Sequence, residues 1–405
     1  MKRLRVLFAP RNIAGQPTEW AAALKELGHH AEVWSFGEAA FGIPVDRVFD
    51  QDRLLADPLY RWQVLDDAVR GFDVFHFQYG RSLLNAHEPE LPELWDLPLL
   101  RSLGKRVFMH WHGSDVRLKS KHMEREGPDS YLADATVDED AILARVSICR
   151  RFCDRMFVST PGLLDYVPDA RHIPLAIDAA AWATERGPEP DKPVVVHIPS
   201  KRATKGSHHV DAALIPLHEQ GVIEYRALSG LTREQVKAEF RRADMVVDSM
   251  TIGDHGLVAV EAMACGAVAL AHVHERNRAR TPGTPVVEVT KDTLGKVVRE
   301  LAADPRERAR LRAEGVAWVR RHHDREAVAR LLVQEYTAPR TKITAGYPDW
   351  PRTAGDARLR ALEAEVERLR REGGAPARPT LRDRIEANPA LHLAARRLAA
   401  RVRRK

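Results

Sequence analysis

The stretch that decides the fold is residues 253–266, GDHGLVAVEAMACG. A short apolar strand ends before it at Asp248, and an apolar helix is predicted over Leu257–Ala264, closed by Gly266. The N-terminus of a helix presents unpaired N–H groups and a positive dipole end, which favours an anion such as phosphate. Gly256 would let the backbone approach that anion closely. The segment therefore predicts a strand–loop–helix unit of an α/β protein with an anion site at its loop.

Glu261 is the only charged residue of this helix, which otherwise consists of Leu, Val, Ala and Met. A buried carboxylate without a partner is costly. The paired hydroxyls of a ribose would supply a partner, as they do for acidic residues in dinucleotide-binding folds. The alternative is a Glu at the edge of the helix that pairs with a surface Lys or Arg. Glu261 is therefore a candidate nucleotide-binding residue.

The chain on both sides repeats the alternation of strand and helix. Strands are predicted at Arg5–Ala9, Ala31–Ser35, Phe72–Phe77, Arg106–His110, Arg155–Ser159, Arg171–Ile173, Val194–Ile198, Glu224–Leu228, Met245–Asp248, Ala267–Ala271 and Val286–Val289. Helices are predicted at Thr18–Leu27 with Thr18 as N-cap, His208–His218, Thr232–Arg242, Lys291–Ala302, Pro305–His322 and Arg325–Tyr336. Parallel neighbouring strands need such crossovers, so the pattern predicts doubly wound α/β domains.

A change of composition at RGPEPDKP, residues 186–193, divides this pattern into two. The predicted domains are residues 1–185 and residues 186–339, followed by a tail at 340–405. The ligand crevice would lie between the two α/β domains, at the carboxyl ends of the strands.

The composition excludes several classes of protein. Hydrophobic residues make up 44% of the 405 residues, which is enough for a core, and no stretch is long and apolar enough for a transmembrane helix or a signal peptide. Three cysteines, Cys149, Cys153 and Cys265, show no spacing of a disulfide framework or metal site. We therefore expect a cytoplasmic protein.

The segment GLVAVEAMACG resembles the hallmark of the retaining glycosyltransferases of family 4, which have the GT-B fold of two Rossmann-like domains facing across a cleft. The resemblance implies that residues 1–185 form the acceptor domain and residues 186–339 the donor domain, whose last helix crosses back onto the first. The family pattern has a Glu, seven residues and a second Glu. The second falls on Glu261, and the resemblance implies that it binds the donor ribose. The first falls on Gly253, where this chain departs from the pattern. In its place the backbone N–H groups of the following residues would contact the diphosphate: Asp254, His255, Gly256 and Leu257.

A second match is HIPSKRATKGSHHV, residues 197–210. The family has an Arg and a Lys, five residues apart, that clamp the diphosphate. Lys205 matches the Lys, and Ser200 stands in the position of the Arg, beside Lys201 and Arg202. The alternative is a solvated basic loop. Further along, the resemblance places the base of the nucleotide at the 226–232 loop, which includes Ser229 and Gly230.

Two segments of the first domain complete the expected site. In PRNIAGQPTEW, residues 10–20, the resemblance implies that Gly15 faces the donor phosphates, whereas the residues alone are equally consistent with a plain turn. In HWHGSDVR, residues 110–117, His112 matches a family His at a strand end that reaches the donor sugar. His112 is thus the candidate catalytic residue. Asp115 is interpreted as the N-cap of a following helix.

Three other patterns invite a functional interpretation. Asp138-Glu139-Asp140 has the form of a DxD metal–nucleotide signature, but it precedes a helical pattern, where acidic residues favour the helix dipole. The histidine pairs 208/209, 272/274 and 322/323 lack further ligands at metal-site spacing. Cys149 and Cys153 have the spacing of a helix face in the core. No metal or cofactor is expected.

The predicted function is transfer of a sugar from a nucleoside-diphosphate sugar, such as a UDP- or GDP-sugar, to a hydroxyl acceptor with retention of configuration. The acceptor would be a glycan, a lipid-linked molecule or a small molecule of carbohydrate metabolism. Two alternatives remain open: a nucleotide-sugar epimerase of the same fold, and a degenerate protein that binds sugar nucleotides without turnover. The missing Glu at position 253 favours the last of these.

The tail carries the basic character of the chain, with roughly 16 Lys and Arg against about 8 acidic residues in 341–405. Its Arg-rich stretch 382–405 could bind anionic lipid and place the protein at the inner membrane face. A disordered solubilising tail is the alternative, and nucleic acid is disfavoured because no stacking aromatic residues lie there. Apolar residues spaced by three and four at 359–369 form a short heptad pattern, which suggests self-association.

Overall fold

The computed structural model of the protein describes residues 3–37, 42–83 and 93–340. These residues form two parallel β-sheets, one with seven strands and one with five, each covered by helices on both faces. The predictions for residues 341–405, the lipid-binding stretch and the heptads at 359–369, lie outside the described part. No helix within the described ranges has both the length and the apolar character needed to cross a membrane.

The seven-stranded sheet has the order β3-β2-β1-β4-β5-β6-β7, and with its helices it is called the N-lobe. Its strands are β1 (Arg5–Ala9), β2 (His30–Phe36), β3 (Arg47–Phe49), β4 (Val74–Gln78), β5 (Arg106–Trp111), β6 (Arg155–Val158) and β7 (Arg171–His172). Its helices are α1 (Gln16–Glu26), α2 (Gln51–Ala56), α3 (Pro58–Gly71), α4 (Asp96–Ser102), α5 (Lys119–Glu126) and α6 (Glu139–Phe152).

The five-stranded sheet has the order β12-β11-β10-β8-β9, and with its helices it is called the C-lobe. Its strands are β8 (Val194–His197), β9 (Glu224–Ala227), β10 (Met245–Val247), β11 (Val268–Ala271) and β12 (Val287–Glu288). The remaining helices are α7 (Ala179–Trp182), α8 (Arg202–Lys205), α9 (Ser207–Glu219), α10 (Arg233–Arg242), α11 (Leu257–Ala264), α12 (Glu275–Arg280), α13 (Leu294–Ala303), α14 (Pro305–His322) and α15 (Arg325–Thr337).

The inner strands of each sheet, such as β10 and β11, are buried on both faces, which is why they are continuously apolar. On β1, Leu7 and Ala9 join one core cluster while Val6 and Phe8 join the cluster on the opposite face. Side chains alternate in this way because successive residues of a strand point to opposite faces. The N-lobe core also holds α15, whose Tyr336 hydroxyl lies 2.6 Å from His76 Nδ1 on β4. The last described helix therefore packs on the first sheet.

Most predicted elements are present, and three differences have a physical reason. Thr18 is not an N-cap, because α1 begins earlier, at Gln16, after a left-handed Gly15 and with Pro17 in its first turn. Asp115 does not cap a following helix; its carboxylate accepts the preceding N–H groups of His112 and Gly113, at 3.1 and 2.6 Å. The short strand β3 was missed, because three residues are too few to show a period.

The acidic triplet at 138–140 opens a helix, as predicted. The Asp138 side chain accepts the N–H of Ala141 at 3.0 Å and is the N-cap of α6. A capping box formed by Thr232 and Gln235 opens α10, close to the start of the predicted helix Thr232–Arg242. All three cysteines are buried and free.

Candidate functional site

Glu261 lies in the second turn of α11 and is buried, with 9% of its side chain exposed. Its Oε1 atom lies 3.5 Å from the Arg233 guanidinium at the start of α10, and the same guanidinium contacts Glu19 of α1 in the N-lobe at 3.1 Å. The carboxylate therefore points towards the opposite lobe rather than into bulk solvent. Its partner is an Arg, but one that bridges the two lobes.

Burial is the main influence on the Glu261 carboxyl. It raises the pKa to about 8, against the opposing effect of the Arg233 charge. Nearby acidic groups, Glu19 first, act in the same direction as burial. A ligand that donates hydrogen bonds to this buried carboxyl would stabilise its charged form.

The N-terminus of α11 is already occupied by a carboxylate of the protein. Asp248, fully buried directly after β10, accepts the N–H of Gly256 at 2.6 Å and contacts Lys205 Nζ at 2.5 Å. Burial would raise the pKa of Asp248, but Lys205, the N–H of Gly256 and His255 together outweigh burial and lower it. The Lys and the backbone N–H predicted to bind a diphosphate are thus brought together, with Asp248 between them. Sequence reasoning missed this role, although a carboxylate at the carboxyl end of a parallel strand is a recognisable signal.

The other predicted donor residues of the C-lobe are more exposed. Ser200 and Lys201 lie on the surface before α8. Arg202 pairs with Asp211 of α9 and has 47% of its side chain exposed. Ser229 and Gly230 lie in the exposed loop between β9 and α10, immediately before Arg233. This loop is therefore next to the Glu261 pair.

The loop that precedes α11 contacts the N-lobe directly. Asp254 Oδ2 accepts the N–H of Gly162, which follows β6, at 2.8 Å, and its Oδ1 accepts the N–H of His255 at 3.1 Å. His255 is buried, and its Nδ1 has no hydrogen-bond partner within the described ranges. Asp254 thus joins the two lobes rather than presenting its backbone to solvent.

His112 lies at the carboxyl end of β5, directly after Trp111. Its Nε2 is 2.7 Å from Gln78 Oε1, and its ring stacks on His110 with a centroid distance of 4.8 Å. Burial lowers the pKa of His112 to about 3. Because Gln78 Oε1 can only accept, Nε2 carries the proton and Nδ1 keeps its lone pair. His112 is therefore a neutral hydrogen-bond acceptor and not a general acid near pH 7.

Gly15 lies at the carboxyl end of β1, in the left-handed conformation with φ of 73°. A Cβ at this position would lie 2.5 Å from Arg233 Nη1. Gly15 is thus brought against the C-lobe beside the partner of Glu261, and a side chain there would displace this partner. Gly15 and Glu261, both predicted to line the cleft, therefore both lie beside Arg233. Arg233 was not among the predicted site residues.

The histidine pairs serve separate local contacts. Both ring nitrogens of His272 are hydrogen-bonded to carboxylates. His208 packs against His209 with its ring tilted, and His322 packs on Trp318. Across the described ranges, no group of three or more His, Cys, Asp or Glu side chains is arranged to hold a metal ion.

Two facing parallel α/β sheets with the last helix returning to the first define the class: the chain has the GT-B fold, as the sequence predicted. It resembles HepE of Anabaena in complex with UDP, with 15% identity, a TM-score of 0.56 and coverage of 82% of this chain and 99% of HepE. No protein-family model and no curated protein sequence matches the chain.

Two further structures show the same fold. The catalytic domain of starch synthase IV from Arabidopsis thaliana, bound to ADP and acarbose, is 14% identical, with a TM-score of 0.54 and coverage of 83% of this chain and 99% of that domain. Trehalose-6-phosphate synthase, studied as an enzyme of glycosyl transfer with retention, is 13% identical, with a TM-score of 0.53. The match covers 82% of this chain and 98% of that enzyme.

Proposed function

We propose that the protein is a retaining glycosyltransferase that moves a sugar from a nucleoside-diphosphate sugar to a hydroxyl acceptor. The observation that supports it most is Glu261, a carboxylate buried on α11 that faces the opposite lobe of a GT-B fold. A buried carboxyl with a raised pKa needs donors, and the two hydroxyls of a ribose are suitable ones. HepE, of the same fold, was crystallised with UDP-glucose.

In this proposal residues 186–339 bind the donor. The ribose hydroxyls take the place of Arg233 on Glu261, while Arg233 keeps its contact with Glu19. The diphosphate takes the place of the Asp248 carboxylate at Lys205 and at the N-terminus of α11, where cationic and N–H groups already converge. Lys201 adds a surface cation, and the loop with Ser229 and Gly230 meets the base.

Residues 1–185 take the acceptor. His112 accepts a hydrogen bond from a sugar hydroxyl at Nδ1, because Nε2 is held by Gln78. The acceptor oxygen bonds to the anomeric carbon on the face from which the phosphate leaves, and the bond from that carbon to the phosphate oxygen breaks. The acceptor proton passes to the departing diphosphate, whose growing charge Lys205 and the helix N-terminus stabilise. The approach of the lobes excludes water and aligns the reactants.

An assay of turnover separates the three functional hypotheses. The protein is incubated with UDP-glucose, ADP-glucose or GDP-mannose, with and without a panel of hydroxyl acceptors, and the products are followed by NMR. A glycosyltransferase releases nucleoside diphosphate and yields a product of the donor's anomeric configuration. Epimerised sugar without an acceptor would instead identify an epimerase, and binding without any product would identify a non-catalytic protein.

The basic tail at 340–405 extends the proposal to the location of the acceptor. Its excess of Arg would bring the protein to anionic lipid, beside a lipid-linked acceptor. Flotation with vesicles of anionic lipid compares the full chain with residues 1–340. Flotation of the full chain alone supports the proposal, and equal flotation of the two contradicts it.

A further inference from the structure

Gly253 has an unusual neighbour at the point where its side chain would be. Its φ is 72°, and a Cβ built on it would lie 2.1 Å from Oε1 of Glu126 and 2.9 Å from the carboxyl carbon of that residue. Glu126 ends α5 of the N-lobe, whereas Gly253 belongs to the loop before α11 of the C-lobe. A carboxylate from one lobe therefore fills the side-chain space of a glycine in the other.

The Glu126 carboxylate is held in this place by charged groups from both lobes. Its Oε1 accepts a hydrogen bond from Arg125 Nε at 2.7 Å, and its Oε2 lies 3.1 Å from His272 Nε2 of the C-lobe. Arg125 also donates to the carbonyl of Ile252 at 3.2 Å, next to Gly253. Only 5% of the Glu126 side chain is exposed. The group is thus positioned and not a mobile surface acid.

The charge state of this carboxyl follows from the same contacts. Burial opposes ionisation, but the hydrogen bond from His272 and the charge of Arg125 outweigh it, so the pKa of Glu126 lies below its ordinary value. An ionised carboxylate has about four acceptor positions, of which Arg125 and His272 use two. Within the described ranges, the carboxylate accepts no side-chain hydrogen bond beyond these two, so its other acceptor positions have no such partner in the protein.

We propose that Glu126 supplies, from the opposite lobe, the carboxylate that the sequence lacks at position 253, and that it binds hydroxyl groups of the donor sugar. The inference rests on the proposed function and names the residue that contacts the sugar rather than the nucleotide. It also gives a reason for the glycine: a side chain at 253 would occupy the space of this carboxylate. Since Glu126 and Gly253 belong to different lobes, the sugar site is complete only when the lobes are in contact.

The test compares affinities for a nucleotide and its sugar conjugate, because Glu126 is expected to contact only the sugar. Calorimetric titrations use UDP with UDP-glucose, ADP with ADP-glucose, and GDP with GDP-mannose. For the pair that binds the wild type, Glu126→Gln should weaken the binding of the sugar nucleotide roughly 10-fold or more. It should weaken the binding of the free nucleotide less than about 2-fold. Glu126→Asp, which keeps the charge, should recover part of the loss.

Asp129→Asn is the matched control. Asp129 lies three residues after Glu126 and also crosses to the C-lobe, where it contacts Lys291 at 2.6 Å, but it does not approach Gly253. Asp129→Asn should keep both affinities within about 2-fold of the wild type. Thermal unfolding shows whether each variant is folded.

Each other outcome overturns the inference. Equal losses for both ligands in Glu126→Gln, or equal effects of Glu126→Gln and Asp129→Asn, would show a purely structural contact between the lobes. If Glu126→Gln does not fold and Glu126→Asp keeps the wild-type ratio of the affinities for sugar nucleotide and free nucleotide, the contact is likewise purely structural. If no pair binds the wild type, the proposed function fails, and this inference fails with it.

Discussion

Glu261 is the residue at which stability and the proposed nucleotide binding oppose each other. Its pKa in the folded protein is about 8, compared with an ordinary value of 4.5. Between these two pH values the folded state holds a proton that the unfolded chain has released, so the contribution of this group to stability falls as the pH rises. Under the proposed function, Glu261 contributes to ligand binding rather than to the free energy of folding.

Glu261→Gln tests this opposition in the absence of ligand. At pH 9 the neutral side chain avoids the burial of a charge, so we expect its thermal unfolding midpoint to equal or exceed that of the wild type. At pH 5, where the wild-type carboxyl is protonated, the two midpoints should be close. Circular dichroism at both pH values measures the difference. A variant that unfolds below the wild type at pH 9 would show that the Arg233 pair stabilises the fold.

His272 gives a second pH dependence, at a contact between the lobes. Hydrogen bonds to Glu126 and Glu288 raise its pKa to about 9 from an ordinary 6.5. The folded state therefore holds the proton more tightly, and the resulting stability, present below pH 6.5, is lost as the pH rises through 9. The His272 titration alone should contribute a loss on the order of 2 kcal/mol between pH 6.5 and 10, after allowance for partial exposure of the ring.

His272→Gln removes this titration. Urea unfolding at pH 6.5 and pH 10 should show a smaller loss of stability in the variant than in the wild type. His322→Gln, at a histidine that packs on Trp318 and not on carboxylates, is the control and should keep the wild-type loss. An identical loss in all three proteins would contradict the assignment of the pH dependence to His272.

How much the sequence predicts differs from residue to residue. The burial of Glu261 could be predicted, because every neighbour on its helix is apolar. Its partner Arg233 could not, since the two residues lie on separate helices and only the tertiary fold brings them to 3.5 Å. Asp248 and Glu126 were missed for the same reason: each acts on a glycine at another place in the chain, Gly256 and Gly253.

At the scale of elements, the loops at the carboxyl ends of the strands make the contacts between the lobes. The turn at Gly162, after β6, fits against Asp254 and Asn277 of the C-lobe so closely that a Cβ on it would lie 2.7 Å from Asp254 Oδ2 and 2.6 Å from Asn277 Nδ2. Close approach, not a positive φ, therefore requires glycine here. Arg280 adds a hydrogen bond to the Pro161 carbonyl of the same turn at 3.0 Å.

Gly162→Ala should therefore separate these loops. We expect a loss of about 1–3 kcal/mol in the free energy of unfolding, because the added methyl group must displace buried polar atoms. Gly71→Ala, at a glycine whose Cβ would meet nothing within 4 Å, is the control and should be near neutral. Denaturant titration of both variants measures the difference. Equal stability of the two would contradict the close contact.

The elements themselves follow from local patterns where those patterns are long. The strands β1, β5 and β8 and the helices α11 and α14 are found where the apolar periods and caps placed them. Prediction failed for short elements, for the 14-residue helix α3 and for polar side chains that bind backward along the chain. Asp115 is the example: its type suggests an N-cap, but the turn at Gly113 directs its carboxylate to the preceding N–H groups.

At the scale of the whole molecule, charged pairs join the two lobes. Glu19 with Arg233, Glu126 with His272, and Asp129 with Lys291 each pair an N-lobe acid with a C-lobe base. The alternation of strands and helices predicts both sheets. It contains no information on which side chains meet across the cleft, because those pairs are separated by more than a hundred residues.

The most direct measurement of the central claim, that Glu261 binds the ribose of a nucleotide, is calorimetric titration of UDP, GDP and ADP into three proteins: the wild type, Glu261→Ala and Glu314→Ala. Glu314 lies half-exposed on α14 and pairs with Arg310, so it controls for the loss of a carboxylate. We predict that at least one nucleotide binds the wild type and Glu314→Ala equally and binds Glu261→Ala roughly 10- to 100-fold more weakly. Equal affinity of Glu261→Ala and the wild type would contradict the account.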